Sequence, residues 1–479
     1  MKEYDVVIVG AGPAGIFTAL KLVQESKLKV LLLDKGKKLS QRKCWQKTKG
    51  CIDCQPCNLI SGWGGSGAFS DGKLLFTTKT GGWLNEYLVK KDYQNLIEES
   101  EKLWLKFGAP KKVYGQNKKA INKIKKQAKK ADLRLVTFPI RHMGSDGGRK
   151  ILAKIYQFLK DKIDIKFNTQ AQDLIVKNRQ VKGVILSSNK RIFGKYVVIA
   201  PGRAGSDWLL NITAKYKIKT DCNPVDLGVR VEIPSKIFAP IAKQLYELKV
   251  HYKSKTFKDD VRTFCVCPNG EVTMEQLTGN FPVKTVNGYS LSNKKNKNTN
   301  FALLVSTKFT TPFKDPIFYV KSIAKLANLL SGGIMVQRLK DLVLGQRSTY
   351  KRLKTSKIKP SLKSATPGDL AFVLPYRYLS GILEMLQVLD RIIPGVWDGD
   401  PLLYGVEIKL YSNRIKVKKT LETQIENLYV AGDGAGLTRS LVHASVSGLV
   451  VGRGILKNLS SNPSFKQPKN DTVIVFKER

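Results

Sequence analysis

Apolar runs followed by glycine-rich turns recur at distant places along this chain of 479 residues. Residues 6–9 precede one such turn, residues 196–200 precede a Pro-Gly pair, and residues 428–431 precede Gly-Asp-Gly. Continuous apolar runs are typical of strands that are buried on both faces, and glycine at their ends permits tight turns. A stretch with helical spacing of apolar residues follows the first run. The pattern predicts an α/β fold whose parallel sheet is assembled from distant segments.

The middle of the chain contains shorter strand-like segments. DLGVRVEIP, RTFCVCP, GEVTMEQ and NFALLVS predict a mixed or antiparallel sheet, and SGILEMLQVLDRII predicts an amphipathic helix. We therefore expect a second, α+β domain that is interleaved with the first and covers its site. The expected boundaries are residues 1–80, 140–215 and 400–460 for the first domain, residues 81–139 for a helical insertion, residues 216–399 for the second domain, and residues 461–479 for a tail.

The first glycine-rich turn has the spacing Gly10-x-Gly12-x-x-Gly15 between a predicted strand and a predicted helix. Gly10 permits the turn, Gly12 lets the backbone approach a pyrophosphate, and Gly15 lets the helix pack against the strand. Asp34 ends the next strand, 19 residues after Gly15, where it is suitably placed to hydrogen-bond a ribose hydroxyl. Together these features predict a dinucleotide-binding site in a Rossmann-like domain.

The C-terminal stretch ENLYVAGDGAGLTRSLVHASVSGL favours FAD over a nicotinamide dinucleotide. It resembles the second flavin motif of FAD proteins of the glutathione reductase type, which implies that Asp433 holds the ribitol chain. The next helix is expected to point its N-terminus at the flavin. No second G-x-G-x-x-G follows a strand in the sequence. We therefore expect no separate NAD(P)H domain of the disulfide-reductase kind, although NAD(P)H stays open as an electron donor.

The segment GWGGSGAFSDGK has the composition of a loop that crosses a flavin. Its glycines allow positive φ angles and leave backbone amides free to face the cofactor. The predicted cofactor contacts of the whole chain are Gly10, Gly12, Pro13, Ala14, Gly15, Asp34, Lys35, Arg42, Gly64, Gly65, Ser66, Gly67, Phe69, Ser70, Asp71, Ala171, Gly202, Gly432, Asp433 and Thr438.

Three closely spaced cysteines precede this loop. Cys51-x-x-Cys54-x-x-Cys57 has a spacing that thiolate ligands of iron-sulfur clusters use, and Cys44 offers a fourth ligand. Spacings of two residues also suit zinc. The Cys-Pro of the ferredoxin run is absent, and the redox cysteines of flavin disulfide reductases follow the paired glycines rather than precede them. Structural thiols, a metal or cluster site, and a redox pair all stay open.

The formal charge of +45 is the most unusual global property of the chain. Such a field attracts nucleic acid or anionic membranes. Lysine and arginine are nevertheless scattered through nearly every segment, which favours a general bias in composition, and the basic helix predicted at residues 117–134 lacks aromatic residues that stack on bases. We expect a cytoplasmic protein without a transmembrane segment. Nucleic acid is a disfavoured partner, and peripheral membrane contact stays open.

Few residues offer acid or base chemistry in a substrate site. Glu407 and Lys409 share one face of a strand by its period of two, and Arg439 and His443 lie one helical turn apart at the start of the last predicted helix. His142 is the other candidate that titrates near neutral pH. These five are the predicted catalytic residues. Packing is the expected role of Cys265 and Cys267, which alternate on a strand.

Motifs along nearly the whole chain resemble a family of FAD-dependent dehydrogenases, the NAD(P)/FAD-dependent oxidoreductases with undefined substrates. The resemblance rests on CQPCNLISGWGGSGAFSDGKL, RHMGSD, DLGVRVE, RTFCVCPNGEV, VNGYS, NFALLVS, QRLKDLVLGQRST, TPGDLAFVLP, LYGVEIKLYS and NLYVAGDGAGLTRSLVHASVSGL. Ser440 departs from the family, where glycine is expected after Thr-Arg. The resemblance implies an FAD-dependent oxidoreductase that acts on a small molecule.

The electron donor and the substrate are not identified by the motifs. A nicotinamide dinucleotide and an electron-carrier protein are both open as redox partners. Two alternative functions also stay open: a reductase of lipid or isoprenoid chains at a membrane surface, and a flavin-bearing protein that binds or modifies RNA.

Overall fold

The computed structural model describes residues 3–44, 52, 54–277, 281–290, 296–309, 315–397 and 401–461. Within these ranges the α-helices are α1 (Pro13–Glu25), α2 (Lys90–Lys106), α3 (Lys118–Lys130), α4 (Gly144–Leu159), α5 (Ser206–Lys215), α6 (Ser235–Leu245), α7 (Pro316–Ser331), α8 (Leu339–Val343), α9 (Tyr350–Thr355), α10 (Tyr376–Asp390) and α11 (Leu441–Ser460). Short 3₁₀ helices occupy Leu39–Gln41, Gly65–Phe69, Leu84–Glu86, Arg203–Gly205, Leu370–Phe372 and Asp433–Ala435.

The strands of the same ranges are β1 (Glu3–Val9), β2 (Val30–Leu33), β3 (Lys73–Leu75), β4 (Leu133–Leu135), β5 (Ile140–His142), β6 (Asp164–Lys166), β7 (Ala171–Lys177), β8 (Gln180–Leu186), β9 (Arg191–Ile199), β10 (Thr220–Asp221), β11 (Val225–Pro234), β12 (Val250–Lys253), β13 (Asp260–Cys267), β14 (Glu271–Leu277), β15 (Val283–Tyr289), β16 (Asn298–Thr307), β17 (Met335–Arg338), β18 (Thr366–Pro367), β19 (Leu402–Lys409), β20 (Arg414–Ile415) and β21 (Leu428–Val430).

The first large sheet is assembled from all three of the apolar runs. Its order is β6-β2-β1-β9-β8-β7, and β21 pairs in addition with the end of β9. β1 runs parallel to β2 and to β9, and β21 runs parallel to β9 with Leu428 opposite Val197. Strands β7, β8 and β9 form an antiparallel meander. The predicted Rossmann-like α/β domain is confirmed.

Helices α1 and α11 hold the two ends of the chain together beside this sheet. A Cβ at Gly448 of α11 would lie 2.2 Å from the carbonyl oxygen of Ala14 in α1. The hydroxyl of Thr18 donates to the carbonyl of Gly448 at 3.2 Å. This close approach requires glycine, and it packs the first half of α11 against the start of α1.

The second large sheet has the order β18-β17-β19-β11-β16-β13-β12-β4. Its pairings are antiparallel except for that of β17 with β18. The predicted α+β part of the fold is therefore confirmed. Strand β19 falls inside the segment that the sequence assigns to the first domain from residue 400 onwards, yet it lies in the middle of this second sheet.

The central strand β11 is buried on both faces, and its period of two separates apolar from polar side chains. Val229 and Val231 belong to a hydrophobic core that includes residues of α10. Arg230 and Glu232 lie on the other face and are also buried. The β14–β15 hairpin covers that face, since a Cβ at Gly288 would lie 1.9 Å from the Arg230 guanidinium. The second sheet therefore buries charge.

None of the helices in the described part of the chain combines the length and the apolar character needed to cross a bilayer.

Candidate functional site

A cavity of about 1050 Å³ lies where β1, β2, β9 and β21 of the first sheet end. The carboxyl ends of parallel strands are the usual ligand site of such sheets. The structure brings thirteen of the predicted cofactor contacts to its wall: Gly10, Gly12, Pro13, Ala14, Asp34, Lys35, Gly65, Ser66, Gly67, Ala171, Gly202, Gly432 and Asp433.

The three glycines of the first motif have three different surroundings. A Cβ at Gly10 would lie 2.1 Å from the Ala200 carbonyl oxygen, and a Cβ at Gly15 would lie 1.9 Å from the Gly10 carbonyl oxygen. A Cβ at Gly12 would meet nothing within 4 Å, because this residue faces the cavity. No side chain caps the start of α1 at Gly12. The helix end therefore presents backbone amides and a positive dipole to the cavity, which fits a pyrophosphate.

Asp34 stabilises the turns around the cavity. One carboxylate oxygen accepts from the amide of Ala11 at 2.8 Å, and the other accepts from Gly36 at 2.7 Å and Gly62 at 2.8 Å. Burial lowers the pKa of the neighbouring Lys35, whose ammonium donates to the Ala204 carbonyl at 3.0 Å. Each carboxylate oxygen has two lone pairs, so Asp34 retains acceptor capacity toward a ribose.

Asp433 brings a second carboxyl group to the cavity. The hydroxyl of Thr438 donates to it at 2.6 Å. Burial raises the pKa of Asp433 to about 6, against the opposing effects of the Thr438 hydrogen bond and of Arg203 and Arg439. Thr438 itself is buried outside the cavity lining, so it positions Asp433.

Several other predicted cofactor contacts shape the loop and do not line the cavity. The buried Arg42 donates to the carbonyls of Asn58, Leu59 and Trp63 at 3.0, 2.9 and 2.6 Å. Its guanidinium also stacks on Phe69, with 5.0 Å between the group and the ring centroid. Gly64, Ser70 and Asp71 of the loop also lie outside the cavity lining, as does Gly15 of α1.

Sequence reasoning missed further residues of the cavity wall. Arg203 directly follows the predicted Pro-Gly junction, and Thr169 and Gln170 directly precede the predicted contact Ala171. For these three residues, the position next to a predicted contact in the sequence was the signal that could have identified them. Trp208 also lines the cavity, but no sequence motif at the start of α5 indicates it.

The predicted pair Glu407 and Lys409 is buried in the second sheet. Lys409 Nζ lies 2.9 Å from Glu407 Oε1. Arg230 Nη1 lies 3.0 and 2.9 Å from the two oxygens of Glu407, and Arg230 Nε donates to Asn300 at 2.6 Å. Burial alone would lower the pKa of Arg230, but Glu407 and the nearby thiols raise it above its usual range. Two cations therefore hold one carboxylate without access to bulk water.

His142 belongs to a second buried cluster. Its Nε2 lies 3.0 Å from Asp71 Oδ1, and its ring packs on Tyr246 with 4.4 Å between centroids. Lys73 Nζ lies 3.2 Å from Asp71 and 3.1 Å from Glu247. Burial would raise the pKa of Asp71, but Lys73 and His142 hold it well below its usual range. Asp71, predicted as a cofactor contact, is thus engaged by protein groups.

His443 has protein partners on both ring nitrogens. Nδ1 lies 2.6 Å from the Ser440 hydroxyl, and Nε2 lies 2.8 Å from the Thr77 carbonyl oxygen. Burial lowers the pKa of His443 to about 4. The same Ser440 hydroxyl accepts from the His443 amide at 3.3 Å and caps α11, so the serine that departs from the family has a structural use. Proton transfer by His443 would require one of these bonds to break.

Arg439 stacks between two aromatic rings. Its guanidinium lies 3.3 Å from the centroid of Tyr411 and 3.9 Å from that of Trp83. Tyr411 and Arg262 both hydrogen-bond Asp226, whose charge is thereby neutralised. Buried Nε of Arg439 has no hydrogen-bond partner within the described ranges. Arg439 therefore has donor capacity for a ligand.

Cys265 and Cys267 lie beside the Arg230 guanidinium. The register of β13 shifts between Phe264 and Cys267, and Cys265 has a φ of 47°. The hydrogen bond with Cys267, followed by the charges of Lys73 and Arg230, lowers the pKa of the Cys265 thiol to about 6 against the effect of burial. Cys267 is fully buried, as its predicted packing role requires.

The predicted metal-binding cysteines are described only in part. Cys51 lies outside the described residues, Cys44 is exposed, and Cys54 and Cys57 are half-buried. Burial raises the pKa of the Cys57 thiol. In the part of the chain that the structure covers, no three cysteine, histidine or acidic residues converge as metal ligands. An iron-sulfur or zinc site stays a prediction.

A second cavity, of about 730 Å³, adjoins the first, and Ile60, Arg203 and Ala204 line both. Its other walls come from α5, β14, α7 and β19. It therefore lies between the first domain and the second sheet.

Family models match two parts of the chain. Residues 224–410 match the C-terminal domain-like part of FAD-dependent proteins, and residues 5–69 match lycopene cyclase protein. The middle of the chain is therefore similar to the C-terminal domain of FAD-dependent proteins. The resemblance to these oxidoreductases and the enzyme class are confirmed, and FAD is the cofactor that both the family match and the glycine-lined cavity support.

Two proteins are similar in sequence to this chain, the first over most of its length and the second over about two thirds. An uncharacterized protein of Clostridium beijerinckii is 25% identical over 480 residues, which cover 94% of this chain and 80% of the relative. The tRNA uridine 5-carboxymethylaminomethyl modification enzyme MnmG of Mycoplasma genitalium is 25% identical over 330 residues, which cover 64% of this chain and 47% of the relative. The match thus spans about half the length of the second relative.

Solved structures with a similar course of the chain include two oxidoreductases. L-proline dehydrogenase from P. horikoshii has a TM-score of 0.41 and 12% identity, with 95% of this chain and 94% of that chain covered. Glycine oxidase from Bacillus cereus has a TM-score of 0.40 and 14% identity, with 95% of each chain covered. Values this low say nothing of the substrate.

Proposed function

We propose that this FAD-dependent oxidoreductase transfers electrons between its flavin and a small organic molecule bound between the first domain and the second sheet. The observation that carries the proposal is the pair of adjoining cavities. One has the glycine cradle and helix terminus of a dinucleotide site, and the other faces it with mixed apolar and charged walls. Cofactor and substrate sites commonly meet in this way at domain interfaces.

The chain's own residues would hold FAD through backbone groups and two carboxylates. The start of α1 at Gly12 would bind the pyrophosphate, Asp34 would accept from the ribose, and Asp433 would accept from the ribitol chain. When bound, FAD supplies the electron transfer. The protein must then orient the substrate, exclude water and handle a proton.

The side chains of Arg439, Glu407 and Lys409 are proposed for the substrate chemistry. Arg439 lines neither cavity, but it has a donor without a partner among the described residues and its neighbour Ser440 lines the first cavity. It is therefore proposed to bind an electron-rich group of the substrate or flavin. The Glu407 carboxylate, held between Arg230 and Lys409, is proposed to exchange a proton through Lys409. His142 and His443 are the weaker candidates, because protein groups occupy His443 on both nitrogens and Asp71 engages His142.

The test is anaerobic mixing of the purified flavoprotein with single compounds. The panel contains NADH, NADPH, amino acids, 2-hydroxy acids and reduced carrier proteins. Bleaching of the flavin absorbance by a member of the panel, and its return with a suitable acceptor, is the expected result. A protein that binds FAD but is reduced by no donor, dithionite included, would contradict an electron-transfer function.

A second candidate function is flavin-dependent RNA modification. The charge of +45 and the likeness to a tRNA modification enzyme over 330 residues favour it. Retention of transfer RNA that falls steeply between about 50 and 200 mM salt would support electrostatic RNA binding. No retention at the lower salt concentration would remove this candidate.

A further inference from the structure

A lysine in the wall of the second cavity carries a positive charge that the protein does not neutralise. Lys321 on α7 lines the cavity and is 7% exposed. Its ammonium has no ion pair or hydrogen bond to any residue within the described ranges. Because most of the side chain is buried and the ammonium has no partner among the described residues, an anion in the cavity is its expected counter-ion.

Two carboxylates line the same cavity, and neither pairs with Lys321. Glu275 lies 3.7 Å from Arg203 and accepts from Asn287 at 2.8 Å. Asp207 accepts from the Ser206 hydroxyl at 3.5 Å. Neither carboxylate lies within ion-pair distance of Lys321, so the protein leaves this charge for a ligand.

The rest of the wall restricts the kind of anion. Ile317 lies one helical turn before Lys321 on α7, and Leu277, Ile408 and Leu410 add further apolar surface. The space of about 730 Å³, part of which is open to solvent, has room for a small organic molecule. An ammonium at one place and aliphatic side chains around it fit a compound with one anionic group on an apolar body.

The wall shared with the flavin cavity connects this site to the proposed reaction. Arg203 lines both cavities and is 39% exposed, so its guanidinium stands at the boundary between them. An organic anion held by Lys321 would therefore lie next to the cofactor cavity, where a substrate must be.

We propose that Lys321 binds the anionic group of the substrate, a carboxylate or a phosphate monoester with an apolar body, in the second cavity. The identification of the bound anion as the substrate rests on the proposed function. The anion site itself rests only on the cavity and its unpaired ammonium.

Calorimetric titration of the FAD-loaded protein tests the site without any turnover. Four probes share a six-carbon chain: hexanoate, hexyl phosphate, 1-hexanol and hexylamine. At least one of the two anions is expected to bind at least tenfold more tightly than the alcohol or the amine. Equal affinity for all four, or binding of neither anion, would overturn the proposal.

Substitution of the lysine isolates its charge. Lys321→Met is expected to weaken the binding of the anion about tenfold or more, whereas Lys321→Arg keeps most of it. Lys325→Met removes the same charge from an exposed position one turn along α7 and should change nothing. Unchanged anion affinity in Lys321→Met would overturn the assignment.

The stability of the same variant distinguishes a ligand site from a structural lysine. Because Met removes an unpaired buried charge, Lys321→Met without ligand should melt at the same temperature as the wild type or roughly 1–3 °C higher. A lower melting temperature would mean that Lys321 has a structural partner, which contradicts the proposal. FAD content is measured in each sample, so a protein without flavin would fail the proposed function and leave the titration as a separate result.

Discussion

The two large sheets use opposite means to build their sites. At the ends of the first sheet, glycines and backbone amides form the cavity, and a Cβ at Gly10 or Gly15 would collide with the main chain. The second sheet instead buries charged side chains, among them Arg230 and Glu407, both 0% exposed. Backbone geometry recognises a cofactor of fixed shape, whereas paired charges prepare a place for reactive or anionic groups. Mutations in the two sheets are therefore expected to impair cofactor binding and substrate binding in different ways.

The largest effect is expected from the buried ion pair of the second sheet. Arg230→Met leaves the Glu407 carboxylate with only Lys409 and should lower the free energy of unfolding by roughly 3–5 kcal/mol. Arg377→Met is the matched control, because Arg377 is paired with Asp259 but 57% exposed, and it should cost no more than about 1 kcal/mol. Urea unfolding measures both. Equal losses would mean that the second sheet does not depend on its buried charge.

His443 gives the next largest effect, on the pH dependence of stability. Burial lowers its pKa to about 4 from 6.5, so the unfolded chain takes up this proton first as the pH falls. The stability contributed by neutral His443 is present above pH 6.5 and is lost as the pH falls toward 4, by up to about 3 kcal/mol. His443→Gln should flatten the curve of unfolding free energy against pH in this range. An unchanged curve would show that His443 is not buried as a neutral ring.

Gly12→Val tests the backbone site with a smaller expected effect. Its side chain would occupy the cavity that Gly12 now leaves open and should raise the Kd for FAD about hundredfold, or about 2.7 kcal/mol. Gly333→Val is the control, since a Cβ there also meets nothing within 4 Å but lies outside both cavities. Fluorescence titration of the flavin-free protein measures Kd. Equal affinities would place the cofactor elsewhere.

The smallest effect concerns the hydrogen bond from Thr438 to Asp433. In the wild type this bond of 2.6 Å lowers the pKa of Asp433 against the effect of burial, and Thr438→Val removes the bond. The pKa should then rise further above about 6, and FAD binding should weaken by about 1 kcal/mol at neutral pH. Thr438→Ser keeps the hydroxyl and should resemble the wild type. A loss of the same size in both variants would point to packing rather than to the bond.

The contrast between the sheets also explains what the sequence could predict. Gly10, Gly12 and Gly15 lie within one short turn, and Asp34 follows at a fixed spacing, so local geometry alone specified their places. The same reasoning found Gly202 and Asp433 because each follows an apolar run. The parallel sheet and the thirteen predicted residues that line the cavity were accessible in this way.

The charged partners in the second sheet could not be predicted from the sequence, because they are far apart in the chain. Arg230 and Glu407 are separated by 177 residues, and only the pairing of β11 with β19 brings them together. The sequence predicted that Glu407 and Lys409 share a face, but it gave no signal that Arg230 is their third member. Lys321 was hidden for the same reason, since nothing in the helix pattern of α7 shows a cavity beside it.

Arg42 and Asp71 illustrate a different limit. Their position in or near a glycine-rich loop indicated a cofactor contact, yet Arg42 binds three carbonyls of that loop and Asp71 binds His142 and Lys73. A buried charge near a ligand loop is satisfied first by groups of the protein itself, because unpaired buried polar groups are costly. Sequence alone does not separate these two roles.

The amount of FAD released from the purified wild-type chain tests the central claim most directly. The protein is denatured, and the released flavin is quantified against the protein concentration. About one FAD per chain, with clearly less recovered from Gly12→Val, is the result expected if the glycine-lined cavity of the first sheet holds the cofactor. A wild-type protein that releases no flavin and takes up none when FAD is added would contradict the account.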